Sequence, residues 1–343
     1  MITASSEARQ PEPAGWQREM ASAICTPEDL IMALGLDLEL VAPAHASAAH
    51  FRLRVPRSYV ARMRRGDPHD PLLRQVLPVA QEREQSPAYG ADPLGERQAL
   101  RAPGLLQKYR GRALLITTAA CAVHCRYCFR REFPYSERTG EAHRWVEALQ
   151  EIAGDASIEE VILSGGDPLS LSDARLATLT DALARIPHVK RLRVHTRHPI
   201  VLPARVDAGL SGWLEALPWC TVFVLHANHA NEIDHAVRTA CARLKGCGAT
   251  LLNQSVLLRG VNDDAEALAQ LSEKLFEAGV LPYYLHLLDR VSGTAHFDIP
   301  EWRAQELLGE LSARLPGYLV PRLVREIEGA PAKVPLPPRF AAM

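Results

Sequence analysis

Ala113-Leu-Leu-Ile-Thr-Thr-Ala-Ala-Cys121-Ala-Val-His-Cys125-Arg-Tyr-Cys128 is the stretch on which the reading of this chain turns. Its first half is apolar and β-branched, the composition of a buried strand. Its second half sets three cysteines within eight residues, spaced C-x3-C-x2-C. Thiolates are soft ligands that suit zinc or iron–sulfur clusters. A structural zinc normally takes four protein ligands, often as two pairs. There is no second pair here, and His124 is poorly placed to complete a tetrahedron beside its neighbour Cys125. Most ferredoxin-type clusters use four cysteines. Three thiolates after a strand therefore suit an iron–sulfur cube with one iron left open, with zinc as the competing reading.

Downstream, β-branched runs alternate with helical periodicity. The runs are Ala113–Thr118, Glu160–Ser164, Leu192–Thr196, Cys220–His226, Thr250–Leu257 and Tyr283–Leu288, and the helical segments include Ala174–Ile186, Glu232–Lys245, Ala265–Ala278 and Glu301–Leu315. Repeated βα units imply a parallel sheet with right-handed crossovers. The expected class is α/β, a partial (β/α)6 barrel, although an open doubly wound sheet has the same local pattern. In a barrel the chemistry sits at the C-terminal ends of the strands. Polar residues gather there: Ser164-Gly-Gly-Asp167, His195-Thr-Arg-His198, His226-Ala-Asn-His229, Asn253-Gln254 and Asp289.

Upstream, residues 1 to about 20 are polar and Pro-bearing and read as poorly ordered. Thr26-Pro27 reads as an N-cap and first position of a helix carrying Leu30, Ile31, Leu34 and Leu36. Short helical patterns follow at Arg57–Arg64 and Pro71–Val79. Gln81–Gly104 is rich in Pro, Gly and charge and reads as an irregular segment wrapped on the main domain. The expected division is 1–106, a mostly helical or irregular region packed on the core; 107–325, the barrel; and 326–343, a terminal segment.

The chain has 343 residues, 47% apolar and 23% charged, with a net charge of −1. That is ordinary for a globular protein and gives no bias toward nucleic acid or anionic membrane. No apolar run approaches a membrane span, and the N-terminus has no secretory h-region. The expectation is a cytoplasmic protein. Seven cysteines with one tight group fit metal ligation better than disulfides, and Cys25, Cys220, Cys241 and Cys247 read as small packed residues.

The triplet resembles the signature of the radical S-adenosylmethionine superfamily, and Ser164-Gly165-Gly166-Asp167 resembles its glycine-rich element for the methionine amino group. Residues 108–340 are similar to lysine 2,3-aminomutases. The likeness runs through Lys108-Tyr-Arg-Gly-Arg112, Cys128-Phe-Arg-Arg131, Leu225-His-Ala-Asn-His229, Asn253-Gln-Ser-Val-Leu-Leu-Arg-Gly-Val-Asn262, Pro282-Tyr-Tyr-Leu285 and Gly293-Thr-Ala-His296-Phe297. It is strongest to the branch that makes (R)-β-lysine for modification of elongation factor P, which Asp70-Pro-Leu-Leu-Arg-Gln-Val-Leu-Pro78 also resembles.

The resemblance implies a radical SAM partial barrel with a [4Fe–4S] cluster on Cys121, Cys125 and Cys128. It also implies S-adenosyl-L-methionine on the open iron, and pyridoxal 5′-phosphate held covalently by Lys333 in the terminal segment. By the same resemblance Arg112 takes the pyridoxal phosphate group, Arg130 the carboxylate of L-lysine, and Asp289 and Glu326 its ε-ammonium. The resemblance also implies cofactor contacts at Ser164, Gly165, Gly166 and Asp167, and Gln254, His195 and His226 are expected cofactor contacts from their place at the predicted barrel mouth. From residues alone, Lys333 reads as a solvated tail lysine, and a strand-end histidine as hydrogen-bonded structure. The catabolic enzymes carry Asp at the Glu326 position and a glycine run where this chain has Gly329-Ala-Pro-Ala332, so a catabolic lysine aminomutase, or one acting on glutamate or arginine, stays open. A zinc-bound interaction module is the reading from another class. Expected partners are an electron donor such as flavodoxin or ferredoxin and, functionally, elongation factor P with its lysyl ligase. No nucleic acid or membrane is expected, a homo-oligomer is allowed, and the short C-terminus leads to the expectation of no structural zinc and a smaller assembly.

Overall fold

The computed structural model describes residues 15–134 and 143–340. Ten strands form one sheet in strict chain order. β1 (Leu100–Ala102) and β2 (Leu105–Tyr109) pair antiparallel, and β2 is antiparallel to β3 (Arg112–Thr118). β4 (Glu160–Gly165), β5 (Arg191–Thr196), β6 (Cys220–Leu225), β7 (Thr250–Val256) and β8 (Leu281–His286) continue in parallel. β9 (Arg322–Arg325) adds one more parallel strand, and β10 (Val334–Pro335) folds back antiparallel on it. The sheet does not close, because β1 and β10 do not pair with each other. It is a partial barrel. The six runs read from sequence are β3 to β8; β1, β2, β9 and β10 are additions.

Register and pleat decide which side chains meet. Partners across a parallel pair share a face, and neighbours along a strand alternate. Leu163↔Val194 and Val194↔Phe223 put those side chains on one face, and Phe223↔Leu251 extends it. That face packs into one core with Leu176, Leu179, Leu210, Val237, Leu244 and Leu271 from the crossover helices. The opposite face carries Ile116 with Ser164, His195 with Val224, Gln254 with Tyr284, and His286 with Val324. It is the barrel interior.

Caps explain where the helices start. The crossover helices α5 (His143–Gly154), α6 (Asp173–Ala184), α8 (Ala208–Glu215), α9 (His235–Gly246), α10 (Ala265–Glu277) and α11 (Glu301–Arg314) lie between strands. The helix expected from Glu232 starts instead at His235, because Asp234 caps Val237 N. Glu232 lies in a preceding 3-10 turn with its carboxylate buried. The one-turn helix α7 (His198–Val201) follows β5.

Before the sheet, α1 (Gly15–Ala21) buries Trp16, so the part of the N-terminal segment read as poorly ordered that lies within the described residues is helical. Residues 1–14 lie outside them. Thr26 caps α2 (Pro27–Leu34) by accepting from Asp29 N at 3.2 Å. Gly35, at φ 65°, ends that helix and leaves Leu36 outside it. The left-handed conformation there favours glycine. α3 (Val41–Ala48) and the single turn α4 (Arg57–Val60) follow. Pro71–Val79 holds only the 3-10 turn Leu73–Gln75, since the buried Asp70 carboxylate caps Leu72 N and Leu73 N. Among the described residues no helix is long and apolar enough to cross a membrane.

Candidate active site

The cysteine loop begins three residues after β3 and is fastened from the N-terminal region. His124 N donates to Arg54 O and Arg126 N to Gln75 O, both at 2.9 Å. Arg126 is fully buried, stacks on Phe51 at 4.9 Å, and pairs through Nε and Nη2 with both oxygens of Glu82. Arg131 donates to the same carboxylate at 2.8 Å. One buried acid thus holds two buried cations that flank Cys128. Glu82→Ala leaves both guanidinium groups without that charge, and breaking a buried pair costs about 3–5 kcal/mol. Denaturant unfolding of the cofactor-free protein should show a loss of that size, with any value below about 1 kcal/mol counting against the clamp.

Burial, helped by Asp167 and the other two thiols, pushes Cys121 well up, and burial with Cys125 pushes Cys128 up to about 11. Iron would reverse this, since metal binding deprotonates a coordinating thiol. Three thiols held on one loop against the glycine loop are soft donors that would suit an iron–sulfur cube. The donor set fits the cluster.

The glycine loop packs directly on this segment. Gly166 N donates to Thr118 O at 2.7 Å and Asp167 N to Ala120 O at 2.8 Å. Gly165 has φ +119°, and a Cβ there would lie 2.6 Å from Thr118 O; one at Gly166 would lie 2.4 Å from Ala120 O. The glycines are needed for β4 to close on the cysteine segment. The Asp167 carboxylate is committed to protein donors: Thr196 Oγ1 and Arg197 N at 2.7 Å, Leu169 N at 3.0 Å and His198 N at 3.2 Å. Burial would raise its pKa, but His198 and these donors hold it below the usual range. Its contacts within the protein are positional, tying the glycine loop to the end of β5.

Deeper in the barrel a chain of charges links the remaining residues. Arg130 is buried and donates through Nε and Nη2 to Glu96 at 2.7 and 2.8 Å, and through Nη1 to Ser164 Oγ at 3.0 Å. The fork that the sequence reading gives to a substrate carboxylate is held here by Glu96, because a buried guanidinium needs a counter-charge. Lys108 Nζ stands 3.5 Å from Glu96 and 3.0 Å from Glu326. Lys333 Nζ pairs with the other oxygen of Glu326 and lies 5.9 Å from the Tyr284 ring centre. Lys333 is therefore not a solvated tail residue: the β9–β10 hairpin brings it inside.

Burial would raise the Glu326 carboxyl, but Lys333 and Lys108 outweigh it and bring it down to about 2. Burial and then Glu326 push Asp289 up to about 7, against the pull of Lys333 and Lys108. Arg112 stacks on Tyr109 at 4.6 Å and makes no ion pair among the described residues, which fits it for an anionic group. A register shift at Pro282 lets two consecutive residues, Tyr283 and Tyr284, stack with ring centres 3.8 Å apart. A bulge does this by breaking the alternation of faces.

His195 and His226 lie 5.9 Å apart, and Gln254 Nε2 is 3.4 Å from His226 Nε2. Burial drives His195 well down and His226 down to about 4, so both are neutral near pH 7. The Nε2 atoms of His195 and His286 are buried with no partner among the described residues. Unsatisfied buried polar atoms call for an explanation, and a bound cofactor in the interior supplies one. Sequence reasoning missed Glu82, Glu96, Glu232 and His286. Only His286, at the end of a strand already recognised, carried a local signal.

The sequence profile described as Radical SAM superfamily matches residues 115–271, which contain both the triplet and the glycine loop. The L-lysine 2,3-aminomutase of Escherichia coli is 48% identical over 95% of both chains. The chain belongs to the lysine 2,3-aminomutase family. The Haemophilus influenzae protein of the same name is 46% identical over 94% of this chain and 95% of its own. The Clostridium subterminale one is 34% identical, with 95% of this chain covering 78% of that protein. Membership makes the protein an isomerase of the radical SAM class, and the family implies the [4Fe–4S] cluster and S-adenosylmethionine. Arg112, Glu326 and Lys333 lie outside the matched profile.

Proposed function

We propose that this enzyme converts L-α-lysine to (R)-β-lysine by 2,3-amino migration, with pyridoxal phosphate joined to Lys333, and that the product serves modification of elongation factor P. The observation that carries the reading is the meeting of Lys333, Glu326 and Lys108 inside the barrel. A lysine inside the barrel is positioned for a covalent cofactor, and acids around it for an ammonium group. Pyridoxal phosphate, when bound, supplies a conjugated system able to delocalise an unpaired electron. The protein's own residues bind and orient. Arg112 is available to a phosphate, Asp289 and Glu326 to the ε-ammonium, and Arg130, shared with Glu96, to the carboxylate. The sheet and N-terminal region keep the reacting atoms from water. The elongation-factor reading is supported by Glu326 and by Gly329-Ala-Pro-Ala332, which resemble that branch. Free β-lysine could pass to a separate ligase, so contact with elongation factor P is not required.

The test is an anaerobic assay of L-lysine with S-adenosylmethionine and a low-potential reductant, scored for β-lysine. No product from lysine, with turnover of glutamate or arginine, would transfer the reading to a related aminomutase. Glu326→Asp withdraws the carboxylate by one methylene from Lys108, Lys333 and the pocket. KM for lysine should rise roughly tenfold, about 1.4 kcal/mol of binding, with a smaller change in kcat. Unchanged kinetics would remove Glu326 from the pocket.

A further inference from the structure

Arg197, at the end of β5, is used by no step above and touches the cysteine triplet directly. Its Nη1 donates to Cys125 Sγ at 2.8 Å. Nη2 is fixed by three acceptors: Gln75 Oε1 at 2.6 Å, Glu232 Oε2 at 2.9 Å and Tyr59 Oη at 3.2 Å. Its backbone N–H holds Asp167 of the glycine loop at 2.7 Å. The residue is 6% exposed, and Gln75, Glu232 and Tyr59 are buried with it. A guanidinium serving only Glu232 would not need to be aimed at sulfur. Here the acceptors on Nη2 set the plane that delivers Nη1 to Sγ.

We propose that Arg197 is a positioning residue that raises the reduction potential of the iron–sulfur cluster through its N–H···S bond to Cys125. The inference rests on the reading that the triplet holds that cluster. The redox step is one electron from a low-potential donor of the flavodoxin or ferredoxin kind, with no bond made or broken in the protein. The added charge spreads over iron and sulfur, so a cationic donor on a ligating sulfur favours the reduced state over the oxidised one. Hydrogen bonds to cluster sulfurs are a recognised lever on potential. Burial works the other way, disfavouring the more charged state, and Arg197 offsets it in the same buried site.

The experiment is an EPR-monitored redox titration of the reconstituted holoenzyme, wild type against Arg197→Met/Glu232→Gln. The double change removes both charges, so no buried acid is stranded. Iron and sulfide contents should match, and the equilibrium constant for reduction should fall at least tenfold, about 59 mV for one electron. Glu232→Gln alone keeps the arginine and should shift it less than the double variant. A purely structural role would alter unfolding and cluster loading but not the potential. A fully loaded double variant within twofold of wild type overturns the proposal. Should the variants not load, the wild-type holoenzyme labelled with 15N-arginine decides: pulsed EPR of the reduced cluster must show a nitrogen coupling, and its absence overturns the proposal. Wild-type protein that takes up zinc and no sulfide instead refutes the cluster reading itself, and metal analysis tells the two failures apart.

Discussion

Lys333→Ala should abolish amino migration, with a fall on the order of 10⁴-fold or more, because holding reactants in place covalently is worth about 7–11 kcal/mol of a barrier. The absorption band of bound pyridoxal phosphate should vanish while the brown colour of the cluster remains, since the cysteines lie on another element of the barrel. That split separates loss of one cofactor from loss of the fold. Wild-type turnover in the variant would end the proposed role of Lys333. The change also releases Glu326. Its carboxyl is brought down to about 2 by Lys333 and Lys108 against the effect of burial. A depressed acid contributes stability that is present above the unfolded value and lost as pH falls through the folded one. Lys108 stays 3.0 Å away, so the variant should lose part of that contribution at neutral pH. The deficit against wild type should shrink below about pH 4 in urea titrations.

β3 to β7 were legible as apolar runs carrying β-branched residues and β8 as an apolar, aromatic one, and the triplet because three thiols so close have few other uses. β9 and β10 were not legible. Arg322-Leu-Val-Arg325 and Val334-Pro335 are too short to carry a period, and they are strands only because β8 offers an edge to pair with. Lys333 was invisible to pattern for the same reason: its half-buried place follows from that hairpin and not from Ala-Pro-Ala-Lys-Val-Pro. Glu82 and Glu96 sit in a segment whose composition reads only as irregular chain wrapped on the main domain. Each becomes a buried partner through arginines more than thirty positions away. Pairing of this kind is tertiary, and the useful clue is a requirement: Arg126, Arg130 and Arg131 next to a buried triplet imply acids somewhere else in the chain. Glu232 shows a related limit. It looked like the first turn of a helix, and its place in a capped 3-10 turn depends on Asp234 and on the guanidinium it meets.

Asp289→Asn should make the cofactor-free enzyme more stable and a far poorer binder of lysine. Burial and Glu326 push the Asp289 carboxyl from 3.8 up to about 7. The sign follows from proton linkage. An acid whose folded pKa is raised contributes stability that is present below the unfolded value and lost as pH rises through the folded one. Ionised Asp289 therefore strains the empty site at pH 8, by roughly 3–4 kcal/mol at one pKa unit per 1.36 kcal/mol. Asparagine removes that strain, so the variant should gain up to this amount at pH 8 and nothing below about pH 4. The gain becomes a loss once an ammonium is to be bound, because removing one partner of a buried charge pair costs about 2–5 kcal/mol. Lysine binding should weaken by roughly 10²-fold or more on that scale. In wild type, kcat/KM should rise with pH as Asp289 ionises near 7, and the variant should lack that limb. A variant that is neither stabilised at pH 8 nor impaired in lysine binding would show that Asp289 carries no charge the substrate needs. Stabilisation without impairment would place the ε-ammonium on Glu326 alone, which the Glu326→Asp kinetics would then have to show as the larger effect.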